Sequence, residues 1–156
     1  MVNKTQLLDT LLARIEALVE SPIPVSEKLL GICDMLREVV PHYDWVGFYL
    51  VDGENKRELV LGPFAGEPTD HVRIPFGKGI CGQAAERGET FVVQDISEQT
   101  NYLSCSINVK SEIVLPMFSG GELVGELDID SHQTAPFTDE DEGFLEKVAA
   151  KAACLL

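Results

Sequence analysis

Leu8, Leu11, Leu12, Ile15, Leu18 and Val19 recur every three or four residues across 5–20, with polar residues between them. That spacing draws one apolar stripe along a helix. Ser21-Pro22-Ile23-Pro24 ends it, because proline cannot continue a helix and pushes the preceding residue toward extended backbone. A second stripe, Leu29, Leu30, Cys33, Leu36, Val39 and Val40, predicts another helix, with Ser26 as N-cap and Pro41 as its stop. From Trp45 the pattern turns β-branched and aromatic. Residues 45–51 read as a strand, Asp52-Gly53-Glu54-Asn55 as a hairpin turn, and 58–61 as the return strand, ended by Gly62-Pro63. A short strand over 71–75, a short helix over 80–86 closed by Gly88, and a strand over 90–93 follow.

Residues 112–118 and 123–129 predict a hairpin across Ser119-Gly120-Gly121. Thr138 N-caps a last helix whose first turn, Asp139-Glu140-Asp141-Glu142, is acidic, with Asp141 at the capping-box position. Phe144, Leu145, Val148, Ala149 and Ala152 form its buried face. The order α-α-β-β-β-α-β-β-β-α, with antiparallel hairpins, predicts one α+β domain over 1–156. Its centre is an antiparallel sheet of five or six strands, with the N- and C-terminal helices packed on one face. Residues 94–111 fit no element. Connections that long are uncommon and tend to be functional, so this one, bearing Tyr102 and Cys105, reads as a lid.

Charge narrows the partners. Twenty-six acidic residues against 12 basic give a net −14, which excludes nucleic acid and anionic lipid surfaces as partners. No apolar run approaches the ~18–20 residues of a membrane span. The N-terminal stretch enters a helix carrying Asp9, Arg14 and Glu16, unlike a signal peptide. A cytoplasmic location follows as the expectation, with Cys33, Cys81, Cys105 and Cys154 as free or reactive thiols rather than a disulfide framework.

Several motifs bear on chemistry. Gly77-Lys78-Gly79-Ile80-Cys81-Gly82 spells G-x-G-x-x-G, but the strand before it is short and contains Pro75, and no acid follows at ribose-binding distance. It reads as a glycine turn entering a helix, not a dinucleotide site. His42, His71 and His132 stand far apart with no C-x-x-C, so no zinc site is expected from spacing. Cys33 and Cys154 fall on apolar helix faces. Cys81 opens a helix, where amide dipoles would favour thiolate. Cys105, between Ser104 and Ser106 in the long connection, is the best nucleophile candidate. Asp128 and Asp130 flank Ile129 and point to one sheet face. The hairpin sets Glu112 level with them, so three acids meet beneath the connection bearing Cys105. Such a cluster binds a cation or ammonium, shares a proton with a raised pKa, or is merely a set of solvated strand ends.

These residues carry a likeness. The chain resembles GAF-domain proteins of the free methionine-(R)-sulfoxide reductase family. The matching segments are Asp44-Trp45-Val46-Gly47-Phe48-Tyr49-Leu50, Phe76-Gly77-Lys78-Gly79-Ile80-Cys81-Gly82, Cys105, Ser111-Glu112-Ile113-Val114-Leu115-Pro116, Leu127-Asp128-Ile129-Asp130-Ser131 and the helix over 137–148. The resemblance implies a single GAF domain, Cys105 as catalytic cysteine, and Trp45 and Tyr49 around the substrate methyl group. It implies Glu112, Asp128 and Asp130 on the ammonium and sulfoxide, and a homodimer; Tyr102, in the connection read as a lid, is a further candidate substrate contact. No cofactor is implied; thioredoxin or another thiol is the reductant. The family's usual resolving cysteine falls at His71 here, and Asn101-Tyr102-Leu103-Ser104 replaces its Gly-His-containing stretch. Cys81 is then the in-chain candidate for resolving a Cys105 sulfenic acid. The alternative is a GAF module that senses a small ligand without chemistry. His71 and the altered 101–104 stretch favour that alternative, whereas the acid set favours the enzyme.

Overall fold

The computed structural model describes residues 3–99 and 108–156. Tyr102, Cys105 and the rest of 100–107 in the expected lid lie outside the described residues. The elements are α1 (Lys4–Glu20), α2 (Val25–Val39), β1 (Trp45–Val51), β2 (Glu58–Ala65), β3 (Arg73–Pro75), α3 (Gly79–Arg87) and β4 (Phe91–Val93). A 3-10 turn at Ile96–Glu98, β5 (Ser111–Ser119), β6 (Glu122–Ser131) and α4 (Asp139–Ala153) complete them. Six strands form one antiparallel sheet in the order β3-β2-β1-β6-β5-β4.

The two sheet faces have separate cores. On one, α1, α2 and α4 press Leu11, Ile15, Ile32, Leu36, Leu145 and Val148 against Phe48, Ile113, Leu127 and Ile129. Each such side chain contributes about 1.5–3 kcal/mol when fully buried. The predicted placement of the terminal helices on one face is what this packing shows. On the other face lies α3, joined by Trp45, Tyr49, Leu59, Ile74, Ile80 and Val114.

The helix ends follow their caps. Asn3 and Gln6 form a capping box on α1, and Thr138 and Asp141 form the one predicted on α4. Asp141 does more. Its carboxylate accepts from Lys4 Nζ at 2.6 Å, Tyr43 Oη at 2.6 Å and His42 Nε2 at 3.0 Å, tying α1 and the segment before β1 to α4.

Four expectations are corrected. Ser26 does not cap α2; the helix starts at Val25, and the Pro24 carbonyl accepts from the Glu27 and Lys28 amides, each at 3.1 Å. Strand β2 does not stop at Gly62-Pro63 but runs on to Ala65. The register slips there, with Tyr49 opposite Leu61 and Gly47 opposite Phe64. The extra residue is a bulge, where proline's missing N–H costs no ladder bond. The third strand is shorter than expected, Arg73–Pro75 instead of 71–75. Cys154 is not buried: α4 ends at Ala153, and Cys154 is its exposed C-cap.

Candidate active site

The site grows from the alternation of three central strands. Glu126, Asp128 and Asp130 on β6 share a face, opposite Pro116, Val114 and Glu112 on β5 and Tyr49, Gly47 and Trp45 on β1. All four acids are buried, Glu112 at 4% exposure and the other three at 1% or less. The hairpin was expected to set Glu112 level with Asp128 to Asp130; in the observed register it stands opposite Asp130, after a shift between Met117 and Phe118.

Helix α3 closes this face, and its glycines explain the G-x-G-x-x-G spacing. Gly77 has φ 88°, and its amide donates to the Gly82 carbonyl at 2.8 Å. A Cβ on Gly82 would stand 2.6 Å from the Pro75 carbonyl oxygen, so glycine lets the helix approach the strand. The turn delivers Cys81 onto the acids. Its thiol donates toward Glu112 Oε2 at 3.7 Å, and Asp128 is hydrogen-bonded to both Glu112 and Cys81.

Tyr49, His71, Lys78, Cys81, Glu112 and Asp128 line a cleft with room for about one water molecule, about 10 Å³. Tyr49 Oη donates to the His71 carbonyl at 2.8 Å and Trp45 Nε1 to the Glu67 carbonyl at 2.9 Å, holding the rim to β1. Trp45 stacks on Phe64 with ring centroids 5.5 Å apart. Trp45 and Asp130 share the sheet face with the cleft residues, whereas Cys105 and Tyr102 lie outside the described residues.

Electrostatics reverse one expectation. Cys81 does open α3, yet its pKa is pushed well above the ordinary thiol range, first by burial and then by Asp128, Glu112, Glu126 and Asp130. Helix amides are a local and modest influence, while desolvation beside four acids is larger. Burial also raises Asp128, partly offset by its hydrogen bonds to Glu112 and Cys81.

Glu126 was missed in the sequence. It is fully buried, neither carboxylate oxygen has a hydrogen-bond partner among the described residues, and burial followed by Asp128 drives its pKa well up. The signal was present: Glu126-Leu127-Asp128-Ile129-Asp130 is an unbroken polar–apolar alternation, and its first acid belongs with the other two.

The family profile described as GAF domain matches residues 24–156. The chain is 38% identical to GAF domain-containing protein A of Dictyostelium discoideum, over 94% of its own length and 90% of the relative's. It is 35% identical to the free methionine-R-sulfoxide reductase of Escherichia coli, over 96% and 88% respectively. A free methionine-R-sulfoxide reductase from Neisseria meningitidis, solved in complex with its substrate, superposes with a TM-score of 0.92 at 38% identity. That match covers 99% of this chain and 91% of the other.

The chain belongs to the GAF-domain family of free methionine-R-sulfoxide reductases. These are enzymes, oxidoreductases acting on a sulfoxide. The six-stranded antiparallel sheet is the GAF-like fold expected from the sequence. No helix among the described residues is long and apolar enough to cross a membrane.

Proposed function

We propose that this protein, acting as one GAF domain over 1–156, reduces free L-methionine-(R)-sulfoxide to methionine. The observation that carries the reading is the hydrogen-bonded set Cys81–Glu112–Asp128 at the floor of a cleft walled by Tyr49. Sulfoxide sulfur is a poor electrophile until its oxygen is protonated or strongly hydrogen-bonded. An acid that keeps its proton because it is buried serves that need, while the neighbouring carboxylates, Asp130 among them, accept the ammonium of a free amino acid. A methionine inside a peptide has no such ammonium. Tyr49 and Trp45, with Tyr102, take the methyl group.

The chemistry assigned to Cys105 balances as follows. The thiol sulfur attacks the sulfoxide sulfur, the oxygen passes to Cys105, and methionine leaves reduced by two electrons. Cys105 is left as a sulfenic acid. A second thiol condenses with it, releasing water and forming a disulfide that thioredoxin or a small thiol reduces. Cys81 is the resolving candidate in this chain. No prosthetic group is needed, and a reducing compartment, the cytoplasm, suits the thiols; the protein acts as a homodimer.

The test is methionine formation from free L-methionine-(R)-sulfoxide, coupled to NADPH through thioredoxin. Cys105→Ser should abolish it, and Cys81→Ser should keep a single turnover while slowing recycling. Wild-type turnover in Cys105→Ser would sink the assignment. A ligand-binding GAF module without chemistry is the second reading, favoured by His71 standing at the cleft wall where the family carries a thiol. Saturable binding of the sulfoxide with no methionine formed would establish it instead.

A further inference from the structure

The same floor meets the geometric demands of a small metal centre. One ligand atom each from Cys81, Glu112 and Asp128 lies within 4.8 Å of the others, and all three residues are buried. A tetrahedral zinc with a sulfur bond of about 2.3 Å and oxygen bonds of about 2.0–2.2 Å sets its sulfur and oxygen ligands roughly 3.6 Å apart. Cys81 Sγ and Glu112 Oε2 stand at 3.7 Å.

A separate observation points to a cation. Asp128 is 1% exposed, lines the cleft, and its Oδ1 has no hydrogen-bond partner among the described residues. Burying carboxylate oxygens without donors is costly, and a bound cation removes that cost. The cleft has room for a single ion.

We propose that Cys81, Glu112 and Asp128 bind Zn²⁺ or a similarly thiophilic divalent cation. The thiol sets the class, because Mg²⁺ and Ca²⁺ take oxygen ligands and gain nothing from sulfur. Binding releases the thiol proton and the proton that burial keeps on the carboxyls as the metal enters, with no change in oxidation state. The three ligands come from α3, β5 and β6, so no spacing within the sequence announces them. One consequence rests on the reductase reading: the cation takes the acids assigned to the substrate ammonium, so it competes with methionine sulfoxide.

The test titrates the reduced protein with Cd²⁺, whose thiolate bond gives an ultraviolet charge-transfer band, and with Zn²⁺ against a chromophoric chelator. One equivalent should bind. Cys81→Ser and Cys81→Ala should lose the band while Cys154→Ser keeps it. Glu112→Gln and Asp128→Asn should each weaken binding at least as much as the ~10–100-fold that loss of an outer-shell partner costs. Excess Mg²⁺ should not displace the metal. Circular dichroism of each variant shows whether it is folded. A band that survives in folded Cys81 variants and disappears in Cys105→Ser would overturn the site, as would unchanged affinity in Glu112→Gln and Asp128→Asn. Zn²⁺ should raise KM for the sulfoxide and leave kcat unchanged. Absence of any turnover strikes the reductase reading and leaves the titration result standing by itself.

Discussion

The indole of Trp45 fills the space where a side chain at Gly47 would stand. A Cβ on Gly47 would come 2.4 Å from Trp45 Cη2 and 2.9 Å from Phe64 Cβ. Gly66, at φ 132°, clears the ring on another side, with its own Cβ position 2.7 Å from Trp45 Cδ1. Gly47 pairs with Asp128, so the seat of the indole and the floor of the acid site share one rung of the sheet.

Gly47→Ala should therefore destabilise the fold by about 1–3 kcal/mol, the cost of overpacking. It should also raise KM for the sulfoxide by displacing the ring. Urea unfolding and steady-state kinetics check both. Gly53→Ala, with nothing within 4 Å of its Cβ position, should stay within about 0.5 kcal/mol of wild type.

Glu126 predicts a stability that falls with pH. Its folded pKa is raised, so the folded protein holds a proton that the unfolded chain releases near about pH 4.3. Its contribution is intact below that pH and is lost as pH rises toward the folded pKa. Glu126→Gln removes the proton from the comparison. The variant should gain on wild type from about pH 4.3 upward, by at most about 1.4 kcal/mol per pH unit, and roughly match it below about pH 4. Parallel urea titrations across that range decide it; a constant gap would refute the assignment.

Asp141 predicts the opposite slope. Burial raises its carboxyl, but hydrogen bonds from His42, Lys4 and Tyr43 and from the Thr138 amide outweigh that and hold it far below the usual range. Its stabilisation is present above the unfolded pKa of about 3.9 and lost as pH falls below it. Asp141→Asn should cost about 3 kcal/mol at neutral pH, as expected for breaking a buried ion pair. The gap to wild type should close in acid. Thr138→Ala, which removes half of the capping box, should cost about 1 kcal/mol.

The ammonium assignment predicts a KM effect. Asp128→Asn and Asp130→Asn should each lower kcat/KM for free methionine sulfoxide about 10–150-fold, the worth of one hydrogen bond to a charged group at about 1.5–3 kcal/mol. N-acetylmethionine sulfoxide, which has no ammonium, should be a poor substrate for wild type and should lose little more in either variant. Equal losses for both substrates would remove the acids from ammonium binding.

Much of this protein is legible from its residues in order. The apolar stripes of 8–19 and 29–40, the alternation of 123–129 and the Thr138–Asp141 box each depend on contacts a few residues apart, and each element stands where it was expected. Errors fell at helix ends and where a distant partner decides. Pro63 reads as a stop until β1 is beside it, and then it is a bulge. Cys154 reads as buried by its period until the helix ends one residue before it.

The site divides in the same way. Local pattern by itself determined which acids face together on β6 and that Glu112 stands level with Asp128 to Asp130 across the hairpin; the shift in register between Met117 and Phe118 is what sets it opposite Asp130, on the acids' face. The tertiary structure decided the rest. Helix α3 crosses the far face of the sheet and lowers Cys81 onto Glu112 and Asp128, and burial there raises a thiol that its helix position would have acidified. Desolvation depends on everything packed around a group, and that surrounding is assembled from strands far apart in the chain.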